Sequence, residues 1–230
     1  MPSPAGDARP QPAPLTLFPA LAEDEHRRLM ARAHESSFRP GHLVVQQEDW
    51  GESVMLLSSG LAKVSCTSLE GEEIILSVLG VGDLVGDMAL LDGKPRSADV
   101  VALTALSLWK IPGPDFRAVL DVSPRLALAM AQLQSQRLRD LNRRFSVQRS
   151  DATTRVLDAL LYLALKASDG QDPLALIPAV PQRDIAALAG LSRETSSRTM
   201  SKLRSRGSVM EESGGLRLTS REPLERRALL

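Results

Sequence analysis

Cysteine is nearly absent from this 230-residue chain, where Cys66 stands alone. One thiol makes no internal disulfide and ligates no cysteine-held iron–sulfur cluster, so a reducing cytoplasm is the expected compartment. Histidine is almost as scarce. His26, His34 and His42 are the three present, all before or at the first apolar β-type run, which leaves a clustered metal site or a haem without evident ligands. No apolar run approaches the roughly 20 residues a membrane helix needs, and the first residues lack the positive-then-apolar layout of a signal peptide. Net charge is zero as well. That balance hides an asymmetry: residues 1–131 carry 11 basic against 17 acidic side chains, 132–149 five against one, and 150–230 twelve against ten. An acidic first part joined to a basic second part suits a sensor coupled to a nucleic-acid binder.

Residues 182–207 read QRDIAALAGLSRETSSRTMSKLRSRG and fit a helix-turn-helix position by position. A first helix over Gln182–Ala189 turns Ile185, Ala186 and Leu188 inward, Gly190 permits a tight turn, and Ser192 stands as N-cap of a second helix. Arg193, Glu194 and Arg198 then fall in the first two turns, from which side chains reach base edges in a major groove. Arginine grips a guanine through two hydrogen bonds, and glutamate accepts from a cytosine amino group. The plainer alternative is a solvated helix face, but such faces balance their signs. Here Arg193, Arg198, Lys202, Arg204 and Arg206 stand against Glu194 alone, as phosphate attraction requires.

Residues 1–14 hold Pro2, Pro4, Pro10, Pro12 and Pro14 among small residues and read as a disordered tail. A short amphipathic helix is expected around Ala22–Ala33. The chain then changes to brief β-type runs, HLVVQ, SVMLLSS, AKVSC, EEIILSVL, DLVGD, SADVVAL and LSLWKI, broken at regular intervals by glycine. That spacing predicts a small β jelly roll. Within it, residues 84–98, LVGDMALLDGKPRSA, form a candidate ligand site. Gly86 admits close backbone approach, the residues to Leu91 make a helical turn whose N-terminal amides favour an anion, and Arg96 with Ser97 offers a guanidinium and a hydroxyl to a phosphate. Pairing of Arg96 with Asp87 or another carboxylate is the alternative.

That segment resembles the phosphate-binding cassette of cyclic-nucleotide-binding domains. The helix-turn-helix resembles its partner in the cyclic-AMP receptor protein and fumarate-nitrate regulator (CRP/FNR) family, in the same order and over roughly residues 15–220. The resemblance implies an α+β chain: an N-terminal cyclic-nucleotide-binding-type β jelly roll over 15–122, a long dimerisation helix over 123–150, and a C-terminal winged helix-turn-helix over 151–230. The family's Gly-Glu and Arg-Ser-Ala fall on Gly86, Asp87, Arg96, Ser97 and Ala98. Asp87 is one methylene shorter than the family glutamate, which contacts a ribose hydroxyl.

Residues 123–149 contain no Gly and place Pro only second, so one long helix is expected. Leu126, Met130, Leu133, Leu138, Leu141 and Phe145 repeat close to the alternation of a two-helix seam, or of a helix packed on its own barrel. The family forms a homodimer through this helix, and its cyclic-AMP-responsive members place a Thr-Ser pair there against adenine. The matching positions here are Asp140 and Leu141, or Leu141 and Asn142, and neither choice supplies the pair. The effector is therefore cyclic AMP, another small molecule, or none.

An apolar helix over 152–166 opens the last domain, and Val209–Glu212, a Gly214-Gly215 turn and Leu216–Thr219 read as a two-stranded wing. By resemblance, Arg193, Glu194 and Arg198 match the readers of TGTGA-like half-sites, and Ser192 and Thr195 match phosphate contacts. Lys202 is expected to serve phosphate on any sequence. Ser196 replaces the usual apolar residue, which implies either looser packing between the two helices or a slightly different docking angle. The resemblance implies a transcription regulator, not an enzyme, that binds palindromic double-stranded DNA as a homodimer, with RNA polymerase as a further partner. Activator and repressor both stay open. A cupin-type metal-dependent enzyme or a haem sensor is the rival reading, disfavoured by the three histidines.

Overall fold

The computed structural model describes residues 21–230, so the tail expected over 1–14 lies outside the described residues. Helix α1 (Glu23–Met30) leads into two four-stranded antiparallel sheets. In the first, β1 (His34–Phe38), β8 (Leu106–Pro112), β3 (Ser53–Ser59) and β6 (Leu84–Val85) lie side by side. In the second the order is β2 (Leu43–Val45), β7 (Asp99–Ala102), β4 (Ala62–Thr67) and β5 (Glu73–Leu79). This is the expected jelly roll, and each of the seven apolar runs overlaps one of its strands. Strand β1 was not anticipated, because HESSF offers only Phe38 to a core and otherwise reads as polar loop.

Strand β3 shows why one run is apolar almost throughout. Met55 and Leu57 enter a core between the sheets with Val85, Val100 and Leu108. Val54 and Leu56 point the other way, into a second core with Leu29, Phe116, Leu126 and Met130. Alternate residues of a strand face opposite sides, so a strand covered on both must be apolar at every step. The second core is roofed by α1, by α3 (Gly113–Leu120) and by the start of α4 (Pro124–Val147).

Helix α4 is the long helix, N-capped by the Ser123 hydroxyl, which accepts from the Leu126 amide at 3.2 Å. Its apolar stripe serves two surfaces in succession. Leu126 and Met130 are buried in the second core and Leu133 packs against it, whereas Leu138, Leu141 and Phe145 are exposed.

Asp151 caps α5 (Ala152–Ala167), and the last domain continues through β9 (Ile177–Pro178), α6 (Gln182–Leu188), α7 (Arg193–Ser205), β10 (Val209–Glu212), β11 (Gly215–Leu218) and α8 (Glu222–Glu225). The wing is a three-stranded sheet in the order β10-β11-β9, not the expected two-stranded one. Its extra strand is two residues long and leaves no periodic trace. A third core joins the two domains: Leu61, Ile75, Val78 and Leu103 of the jelly roll share it with Val156, Leu160, Ile185, Leu188 and Met200.

Candidate DNA interface and effector cavity

Helix α7 is held from behind. Met200 and Leu203 are buried in the third core, and the Ser192 side chain accepts from the Thr195 amide at 3.3 Å to cap the N-terminus. Ser192 and Thr195 also share a hydroxyl–hydroxyl bond of 3.0 Å. Between α6 and α7, Gly190 takes φ +60°, and a Cβ there would stand 2.6 Å from the Arg155 guanidinium. Arg155 donates to the carbonyls of Ala189 and Gly190, which ties α5 to the turn. Ser196 is buried, at 3% exposure.

Arg193, Glu194, Arg198 and Lys202 are exposed on the opposite side of the same helix. Of the five cations counted there, Arg204 is already engaged, pairing with Glu211 of the wing at 2.7 Å. The remaining three arginines and Lys202 present an outward positive face whose N-terminal turns carry the donors and acceptor suited to base edges.

In the jelly roll, the cassette residues border a cavity of about 360 Å³. Gly86 adopts φ +82°, and a Cβ there would lie 1.8 Å from Arg96 Nη1. A Cβ on Gly51 would lie 2.2 Å from Arg96 Nε, so the guanidinium is wedged between two glycines. Arg96 is 4% exposed and donates from Nη2 to the Ser53 carbonyl at 2.6 Å, while Nη1 is buried with no hydrogen-bond partner. Burial lowers its pKa, and the charge of Asp87 works the other way. A buried, half-satisfied guanidinium at a cavity wall is a strong acceptor-seeking group.

Asp87 does not pair with Arg96, contrary to the alternative raised from sequence. The long helix reaches it first: Arg137 Nη1 and Gln134 Nε2 donate to its carboxylate at 2.7 and 2.6 Å. Arg137 also donates to the Leu84 carbonyl at 2.6 Å. Ser97 is exposed, with its hydroxyl 3.8 Å from Met88 Sδ. Asp140 and Leu141 line the cavity, but Asn142 is not among its lining residues. Helix α5 contributes Tyr162 and Lys166 to the same wall. Burial works against the Lys166 ammonium, but Asp83, 2.7 Å away, and Tyr162 outweigh it and hold its pKa above the ordinary value.

Gln134, Arg137 and Arg144 were missed as site residues. Their spacing of three and seven, which together with Leu141 makes one stripe along α4, was the available signal. Among the described residues no group of three His, Cys, Asp or Glu side chains is placed to hold a metal, and no helix is long and apolar enough to cross a membrane.

The chain matches the cyclic nucleotide-binding domain over residues 35–123 and the Crp-like helix-turn-helix domain over 154–227. It is 34% identical over 194 residues to the cyclic AMP receptor protein of Thermus thermophilus, spanning 84% of this chain and 87% of that one. It is 25% identical over 214 residues to the CRP-like cAMP-activated global transcriptional regulator of Mycobacterium tuberculosis, spanning 92% and 96%. Among solved structures, FixK2 from Bradyrhizobium japonicum shares the fold with a TM-score of 0.72 at 20% identity, over 84% of this chain and 96% of that one. The c-di-GMP responsive global regulator CLP of Xanthomonas campestris does so with a TM-score of 0.69 at 23% identity, over 86% and 99%.

Proposed function

The chain belongs to the CRP/FNR family of DNA-binding transcription regulators, and on that premise we propose that it reads a TGTGA-like palindrome as a homodimer. Residues 15–122 form the sensor, 123–150 the dimerisation helix and 151–230 the reader. Arg193, Glu194 and Arg198 take base edges, and Ser192, Thr195 and Lys202 take phosphates. The observation that carries this is the division of α7 into a buried apolar back and an exposed cationic face. Two such helices about 34 Å apart, one turn of DNA, favour a two-fold symmetric site. RNA polymerase is the further partner at a promoter, and the cytoplasm is the compartment.

The effector we propose is a cyclic nucleotide whose phosphodiester oxygen meets Arg96 Nη1, with Gly86 and Ser97 beside it. The buried unpartnered nitrogen supports this, as does the name of one relative, the cyclic AMP receptor protein of Thermus thermophilus. Because Asp87 is already held by Arg137 and Gln134, a ribose hydroxyl must share that carboxylate with them or displace them.

Binding of the purified protein to a labelled TGTGA-type palindrome and to a scrambled duplex, at about 0.15 M salt, tests the reading. The palindrome is expected to bind about a thousandfold more tightly. Arg193→Ala is expected to cost about 1–3 kcal/mol at one base pair, and Lys202→Ala to weaken both duplexes alike and reduce the salt slope by about one. Equal loss on both duplexes for Arg193→Ala overturns its base-reading role. For the effector, thermal shift with cyclic AMP and with cyclic di-GMP is compared between wild type and Arg96→Leu. At least one nucleotide is expected to stabilise the wild type, and neither the variant. No shift with either means that the regulator acts without such an effector.

A further inference from the structure

The two domains meet across an ion pair that is hidden from water. Lys63 Nζ on β4 donates to Asp184 Oδ1 on α6 at 2.8 Å, and also to the Glu73 carboxylate on β5, whose nearer oxygen is 2.7 Å away. The Lys63 and Asp184 side chains are 7% and 5% exposed, and Glu73 opens to solvent. Burial pushes the Glu73 carboxyl up, but the hydrogen bond and charge of Lys63, with Ser65 and Arg183 nearby, prevail and hold it below the ordinary carboxylate range. Around the pair the contact is apolar: Ile75 and Val78 share one core with Ile185 and Leu188. Apolar burial is non-directional, so it resists separation of the domains far more than it resists their sliding or rotation. A buried ion pair resists both, because a small displacement of α6 leaves the Asp184 carboxylate uncompensated away from water, while Lys63 keeps Glu73.

We infer that Lys63 is a positioning residue for DNA reading. Through Asp184 it fixes the angle of α6 against the sensor sheet, and α6 hands that angle to α7 across the turn at Gly190. In a homodimer this sets the distance and phase between two recognition helices. The inference rests on the palindrome reading above. Lys63 takes no part in the DNA face: it lies on the sensor, and Asp184 is buried beneath the reader while Arg193, Glu194 and Arg198 are exposed. A second tie crosses the same junction, between β5 and the far end of α6. Arg144, 5.4 Å over the Tyr162 ring, donates to the carbonyls of Ile75 at 3.1 Å, Leu188 at 3.3 Å and Leu76.

The variant for the test is Lys63→Met with Asp184→Leu, which removes both charges and fills their volume with apolar atoms, a replacement that buried pairs commonly tolerate. Wild type, this double variant and the charge-conserving Lys63→Arg are each titrated with the palindrome and with the same palindrome carrying two inserted base pairs, a rotation of about 70° between half-sites. Wild type is expected to prefer the uninterrupted site by about a hundredfold or more. The double variant is expected to reduce that preference below about tenfold while binding the scrambled duplex within about twofold of wild type, and Lys63→Arg to keep it. If the double variant loses its far-UV spectrum, the volume-conserving Asp184→Asn takes its place in the same comparison. An undiminished preference overturns the role of Lys63 and leaves the palindrome reading standing, as does a loss in Lys63→Arg equal to that of the double variant. A wild type indifferent to the insertion overturns the palindrome reading, and the role of Lys63 with it.

Discussion

Asp151 stands at the bend between the long helix and the reader, and its carboxylate accepts from the amides of Thr153 and Thr154 at 2.8 and 3.1 Å and from the Thr154 hydroxyl at 2.8 Å. The Thr154 hydroxyl is the main cause that holds this carboxyl below its ordinary pKa, burial opposes it, and the two amides add to the lowering. Asp151→Ala is expected to destabilise the protein by about 1 kcal/mol, measured by urea unfolding at neutral pH. Because the folded-state pKa is depressed, the stabilisation is complete above the ordinary Asp value and is lost as pH falls through the folded one. The gap between wild type and variant should therefore close below about pH 4. A gap that persists at lower pH would show that the carboxylate is not what caps the helix. The sequence places the start of a helix at residue 152, and Asp151 directly before it is a residue type suited to the cap, a signal that was not used. Arg96 was legible from its motif, but its wedge between Gly51 and Gly86 was not, because Gly51 lies 45 residues earlier.

Helix α4 was the most legible element and the one whose use was least so. Its start, length and lack of breakers follow from Ser123, Pro124 and the glycine-free run, yet periodicity alone cannot say which partner covers which turn. The structure divides it: Leu126 and Met130 are buried under the sensor, whereas Leu138, Leu141 and Phe145 are 58%, 52% and 69% exposed. Three large apolar side chains in solvent on one stripe are what a second copy of the helix would cover. Leu138→Glu combined with Phe145→Glu is expected to turn a sedimenting dimer into a 24.9 kDa monomer and to abolish preference for a palindrome over a single half-site. A variant that still sediments as a dimer would place the interface elsewhere. Shorter elements escaped for other reasons: β1 is polar, β9 spans two residues, and α3 opens on Gly113-Pro114, a pair that reads as a turn.

At the scale of the whole molecule, the two domains are legible separately and their junction is not, because Lys63 and Asp184 are 121 residues apart and neither carries a local pattern. The junction is nevertheless where Leu61, Ile75 and Val78 join the core of the reader. Unfolding should accordingly be a single transition by calorimetry, with a van't Hoff enthalpy close to the measured one. Two resolved transitions would mean that the shared core contributes little to either domain. The recognition helix has a different relation to that core. Its back, with Met200 and Leu203, is committed to folding, while Arg193, Glu194 and Arg198 stand in solvent and bury nothing. Over generations those three positions can drift without endangering the fold, so under the proposed base-reading role descendants of this chain can acquire new genomic addresses while inheriting the same body.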